Sequence, residues 1–183
     1  MQSNFYSTDE LKELGLKSVG ENVMISRKCS IYGGENITIG NHVRIDDFCI
    51  LSGDITIGNY VHISAYCALY GKAGIRIGNF CGMSARSTIF SASDDFSGEF
   101  MISPMVPQNL TRLNTGTVIM NDFCQIGTNS VVMPGVIFGE GAICGALSFV
   151  SDNLNDWTIN VGIPCRMIKT RQKRAKELSK EII

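Results

Sequence analysis

Along most of this chain an aliphatic residue returns at every sixth position. The series runs Val19, Ile25, Ile31, then Ile39, Ile45, Leu51, then Ile57, Ile63, Leu69, then Ile77, Met83, Ile89. It lapses and resumes at Met120, Ile126, Val132, Phe138, Cys144 and Val150. A small residue often follows, as at Gly40, Gly58, Gly78, Gly127 and Gly145. A period of six fits neither a helix nor the simple alternation of a half-buried strand. It fits a solenoid of short strands that turns after each hexad, with the aliphatic at each corner pointing into the stack. A second position supports this. Four residues after each aliphatic the side chain is compact, as at Val43, Cys49, Val61, Cys67, Cys81, Ser87, Cys124, Ser130, Ala142 and Ser148. Two positions in six therefore face inward. The steps from Ile31 to Ile39 and from Leu69 to Ile77 are eight residues, each after three hexads. Three hexads per coil make a triangular prism, with about six coils between Val19 and Leu154. A sandwich of short strands would not keep this phase. The fold class is all-β, a parallel β-helix.

The length of 183 residues suits one domain. Residues 1–18 form an N-terminal cap, 19–154 the β-helix with an excursion over 92–116, and 155–183 a closing segment with a C-terminal helix. A net charge of −1 and no cationic stretch within the repeat argue against nucleic acid as a partner. No apolar run reaches membrane-spanning length. The start MQSNFYSTDE lacks the regions of a signal peptide, so cytoplasmic residence is the expectation. Of seven cysteines, Cys29, Cys49, Cys67, Cys81 and Cys124 take the compact inward position and Cys144 a corner. There a thiol acts as a small hydrophobe. No CxxC occurs, and no metal site is expected.

Ser7 to Glu10 reads as a capping box leading into Leu11 and Leu14, with Gly15 as a stop. Such a helix would close the open end of the prism. The tail Lys169 to Ile183 has the pattern of an amphipathic helix, either packed on the last coil or used in a subunit contact. The excursion carries Asp94, Asp95, Phe96, Glu99, Phe100 and Arg112. It interrupts a regular array, and long loops in compact domains are commonly functional. These aromatics and charges suit a flap over a ligand.

The repeats I-G-N-H-V-R, I-G-N-Y-V-H and I-G-N-F-C-G, the excursion after Ile89 and the ending V-G-I-P-C-R-M-I-K resemble the left-handed β-helix acyltransferases. The chain is similar to sugar acetyltransferases of the galactoside and maltose type, including relatives from cell-surface polysaccharide clusters. The resemblance covers about Val19 to Arg171. It implies a left-handed coil, a homotrimer with active sites between neighbouring prisms, and acetyl-CoA as acyl donor along the C-terminal coils. It further implies that Thr128, Ala146 and Ser151 line the pantetheine arm, with Arg166 and Lys169 on the coenzyme phosphates. Cationic side chains pair well with phosphate oxygens.

The chain departs from that family at one place. Relatives keep a histidine base at the start of the excursion, and here Asp94 stands at the matching position. The two histidines are His42 and His62, both in early hexads; His62, just before Ile63, is the stronger catalytic candidate of the two. Reference pKa values are about 3.9 for Asp and 6.5 for His, a gap worth roughly 3.5 kcal/mol. An ordinary carboxylate is a poor base toward a hydroxyl. Burial close to Asp95 would raise the Asp94 pKa. Alternatively the acceptor is an amine, which attacks a thioester without first losing a proton. The reading is therefore an acetyl-CoA-dependent transferase acting on a sugar or nucleotide-linked amino sugar, with N-acetylation favoured. Asp94 positions or deprotonates the acceptor and Asp95 assists. Sugar O-acetylation with Asp94 or a histidine as base is the alternative, and a non-catalytic β-helical binding scaffold is the alternative of another class.

Overall fold

The computed structural model describes residues 4–182. Short parallel strands line three walls of a prism. The first wall stacks Ser18–Val19, Ile37–Ile39, residues 55–57, residues 75–77, Val118–Met120 and Ile137–Phe138, and a bridge joins Phe138 to Leu154. The second stacks Met24–Ile25, Arg44–Ile45, His62–Ile63, Gly82–Met83, Gln125–Ile126, Ile143–Cys144 and Thr158–Val161. The third stacks Ser30–Tyr32, residues 50–52, residues 68–70, Thr88–Phe90, Val131–Val132 and Phe149–Val150. The chain visits the walls in that order, so each coil pairs with the next in parallel. The hexapeptide repeat gives the coil its left hand. The second wall holds seven rungs against the six of the third, so a partial seventh coil extends the expected six.

Register explains the core. Ile25, Ile45, Ile63, Met83, Ile126 and Cys144 point inward one above another and are fully or almost fully buried. Each such aliphatic contributes roughly 1.5–3 kcal/mol. The aliphatics end strands within the walls; the corners are the turns that follow, such as Arg27–Lys28, which corrects their expected place at the corner. The compact residue comes just after each turn, where the corner narrows. Val43, Cys49, Val61, Cys67, Ser87, Ser130 and Ala142 are all buried there, while Cys29, in the first coil, is half-buried with its thiol pushed up to about 12 by desolvation.

The turns themselves stack. Between the first and second walls, residues with left-handed φ form a ring ladder: His42 on Tyr60 at 4.6 Å, Tyr60 on Phe80 at 4.9 Å, Phe80 on Phe123 at 5.2 Å and Phe123 by Trp157 at 5.9 Å. Gly141 occupies the intervening coil, and a Cβ there would collide with the Trp157 ring, so its absence lets the ladder close.

The N-terminal end is covered as the residues require, whereas the tail is a strand and then a short helix that lies along one edge, not the continuous helix expected over 169–183. Helix α1 (Thr8–Glu13) starts in a full capping box between Ser7 and Glu10, buries Leu11, and is followed by Gly15 at φ 68°. Helix α2 (Arg174–Leu178) folds back over the ring ladder, where the Lys176 ammonium meets Glu140 at 2.7 Å. No helix among the described residues is long and apolar enough to cross a membrane.

Phe138 is fully buried and its neighbour Ile137 is 39 % exposed. Phe138→Ala should cost about 3–5 kcal/mol in denaturant unfolding and Ile137→Ala under about 1 kcal/mol. Glu10 accepts from Arg27 at 2.6 Å and from the Ser7 N–H, which together lower its carboxyl to about 2. A depressed pKa stabilises above the ordinary carboxyl range and is lost as pH falls through the folded value. An NMR titration should therefore place the Glu10 midpoint near 2, with the docking of α1 weakening between about 4.5 and 2.

Candidate active site

The array is interrupted after the fourth rung of the third wall. Ala92–Asp94 leaves the prism and pairs antiparallel with Leu113–Thr115, which makes the excursion a two-stranded flap. A cleft of about 420 Å³ opens at its root. Asp94, Phe96 and Asn114 line it from the flap, and Met133 and Pro134 from the next coil.

The adjacent carboxylates have different tasks. Asp95 is buried, and its Oδ1 accepts the Ser97 N–H at 2.8 Å, which closes the turn beyond the strand. That bond, with the Ser97 hydroxyl and Arg112 nearby, holds its carboxyl below the usual range. Asp95 thus takes the turn-forming role. The Asp94 carboxylate lines the cleft with no hydrogen-bond or ion-pair partner among the described residues. No hydrogen bond joins the two carboxylates.

The other candidates are dispersed. His62 lies on the second wall, 52 % exposed at its side chain, with Nε2 2.8 Å from Asp46. Within one chain it does not approach Asp94. Partial burial raises the Asp46 pKa, but hydrogen bonds from His62 and Arg44 outweigh it and leave the carboxyl lowered. Thr128 and Ala146 occupy successive turns between the second and third walls. The Thr128 hydroxyl donates to the Ala85 carbonyl at 2.6 Å. Ser151 sits past the third wall, at the flap's edge of the prism, so it is not in line with Thr128 and Ala146. Arg166 and Lys169 lie on Arg166–Thr170, an exposed antiparallel strand closing the last coil. Arg166 donates to Asp152 at 2.9 Å.

The family description "Bacterial transferase hexapeptide (six repeats)" matches residues 36–71. Over 172 residues the chain is 46 % identical to the dTDP-4-amino-4,6-dideoxy-D-glucose acyltransferase of Escherichia coli, covering 92 % of this chain and 90 % of that protein. The chain belongs to the hexapeptide-repeat acyltransferases. It is also 48 % identical to the S84C mutant of AntD, an N-acyltransferase from Bacillus cereus, solved with dTDP-4-amino-4,6-dideoxyglucose and coenzyme A. That match covers 100 % of this chain and 98 % of the other, with a TM-score of 0.97. AntD is also solved with dTDP and 3-hydroxybutyryl-CoA, at a TM-score of 0.96 and 48 % identity over 99 % of this chain and 97 % of that one.

Several of the similar AntD structures are variants of a serine at 84 or an aspartate at 94. This acyltransferase has Ser84 and Asp94 at those numbers. Nothing in the sequence proposes Ser84 for the site. It opens the turn after Met83, where other coils place Ser26, Asp46, Ser64, Gly127 and Gly145, and nothing in the hexad marks it out.

The fold does mark it. Gln125 of the next coil donates from Nε2 to the Ser84 Oγ at 3.1 Å and to the Ile126 carbonyl at 3.0 Å. Its side chain passes through the space where a Cβ on Gly82 would stand. With its oxygen accepting from the amide, the Ser84 hydroxyl keeps its own proton for another partner. Gln125→Leu should therefore lower acyl transfer by up to about tenfold, the worth of one hydrogen bond, while the melting temperature stays near wild type. Unchanged transfer would separate the orientation of Ser84 from the reaction.

Proposed function

We propose that this enzyme transfers an acyl group from an acyl-CoA to the amine of a nucleotide-linked amino sugar. The observation that carries the reading is the Asp94 carboxylate, unpartnered in the cleft at the flap root. The names of the two relatives matched over nearly the whole chain support an amine on a dTDP-linked sugar. A neutral amine attacks the thioester carbonyl, a C–N bond forms, and the C–S bond breaks to release coenzyme A as its thiolate, which finally receives the proton that the nitrogen loses. Asp94 accepts a hydrogen bond from the amine, orients it, and takes the proton that the nitrogen must lose. An ordinary carboxylate suffices for that late transfer. The same step on a hydroxyl would demand a stronger base.

Acetyl-CoA is the simplest donor for the reaction. Thr128 and Ala146 line its path along one edge, with Arg166 and Lys169 beyond the last coil for its phosphates. The working form we propose is a homotrimer. The outward row of the third wall is uncharged and mostly apolar: Ile50, Ala68, Thr88 and Val131, ending in Phe149. Such a row suits contact with further copies. It also separates the edge bearing Ser84 and Thr128 from the edge bearing the flap. Packing three third walls around an axis sets the flap of one copy beside the Ser84 edge of the next, so Asp94 and Ser84 meet only between copies. A cytoplasmic location suits this chain, since seven free cysteines stay reduced there.

The test is thiol release from acyl-CoA with dTDP-4-amino-4,6-dideoxyglucose and with its 4-hydroxy counterpart. Release with the amine alone is expected. Asp94→Asn should lower turnover by about 10²–10⁴ while coenzyme A still binds. Equal use of both acceptors would restore the O-acylation reading, and no release with either would leave a binding scaffold.

A further inference from the structure

The edge between the second and third walls carries a second stack. Its left-handed turn positions, coil by coil, include Phe48, Tyr66, Arg86, Asn129 and Leu147. Lys28 lies over the Phe48 ring at 5.1 Å, Phe48 stacks on Tyr66 at 5.0 Å, and the Arg86 guanidinium lies over Tyr66 at 5.4 Å. Phe48 and Tyr66 are 47 % and 52 % exposed, and Arg86 is exposed.

Arg86 differs from most of the other arginines, and unlike Arg174 on α2, which also lacks a carboxylate partner among the described residues, it lies over an aromatic ring. Five others, Arg27, Arg44, Arg76, Arg112 and Arg166, each face a carboxylate within 4.0 Å. Arg171 donates to two backbone carbonyls. Arg86 has no carboxylate or carbonyl partner for its side chain among the described residues, and its guanidinium carbon lies over the Tyr66 ring at 5.4 Å. An exposed guanidinium over a ring keeps its planar fork of donors free, and such a fork suits bidentate contact with phosphate oxygens. The turn that carries it is fixed, since the Arg86 backbone N–H donates to the Ala65 carbonyl at 3.1 Å and the Thr128 hydroxyl donates to the Ala85 carbonyl.

Position supplies the ligand. Arg86 is two residues beyond Ser84, in the same turn. Coils rise by ~4.8 Å, so Phe48, two coils earlier, lies on the order of 10 Å from Arg86 toward the N-terminal end. Arg166 and Lys169 lie at the opposite end of the prism. The two substrates of the proposed reaction each carry a base and a diphosphate, and two such handles need separate seats.

We propose that Arg86 binds the diphosphate of the nucleotide-linked acceptor, with Tyr66 as the positioning residue that holds its guanidinium. The inference rests on the reading of the acceptor as a nucleotide-linked sugar. The exposed ring edges of Phe48 and Tyr66 form the wall along which the rest of the nucleotide lies.

Titration calorimetry on the full chain tests it, with dTDP, thymidine and coenzyme A as separate probes. Arg86→Gln should weaken dTDP by at least about tenfold, as loss of a charge-assisted bond does, and leave thymidine and coenzyme A as in wild type. Arg86→Lys should fall between, because it keeps the charge and loses the fork. Tyr66→Ala should weaken dTDP by a smaller factor and Tyr66→Phe should not. Unchanged dTDP affinity in Arg86→Gln overturns the proposal, and so does a loss confined to coenzyme A, which would assign Arg86 to the donor. Wild-type turnover separates this from the reading beneath it. Transfer to the dTDP-linked amine alongside normal dTDP binding by Arg86→Gln overturns the role of Arg86 alone, whereas a wild type that neither transfers nor binds dTDP overturns both.

Discussion

The inward column of aliphatic side chains is what every other feature depends on. Each coil sets Ile25, Ile45, Ile63 and Met83 in register above one another, and sealing that column from water is the principal stabilising term. Once the inward residues are in register, the turns are too. Side chains far apart in the chain then come together along three edges, coil by coil. The ring ladder from His42 to Trp157 and the stack from Lys28 to Arg86 both follow from that register.

Outward residues are free of this demand, and the three edges have diverged. One is closed by aromatic rings and helix α2. A second carries Ser84, Arg86, Thr128 and Ala146. The third releases the flap and its cleft. The flap leaves at a corner, where a detour costs no rung: Val118–Met120 re-enters the first wall against residues 75–77 as if nothing had intervened. This is why a long insertion sits within a strict repeat without breaking it.

Neighbouring residues in the flap show how small contacts assign chemistry. The Ser97 N–H binds Asp95 and spends that carboxylate on a turn. Asp94, one position earlier and at the end of a strand, is left unpaired. On the opposite edge Gln125 does something similar for Ser84, donating to its oxygen and leaving its proton available. The division of these groups between two edges of one prism gives the third wall, which lies between them, its proposed role in assembly.

The sequence by itself determined the solenoid, the three-hexad coil, the cap at Ser7 and the excursion that forms the flap, while Asp94 was singled out only through the resemblance. Burial repeats with the same period as the backbone, so a one-dimensional pattern carries it. The resemblance added the acyltransferase reading, and the poor match of an ordinary carboxylate to a hydroxyl acceptor already pointed to an amine. Only the tertiary structure decided which outward residues share an edge. It separated Ser151 from Thr128 and Ala146, turned Asp95 into its own loop, placed His62 on a wall away from Asp94, and brought Gln125 to Ser84 across 41 positions. The reason is physical: outward side chains obey no periodic burial rule, and their neighbours are set by the wrapping of the coils, which no local stretch of sequence contains.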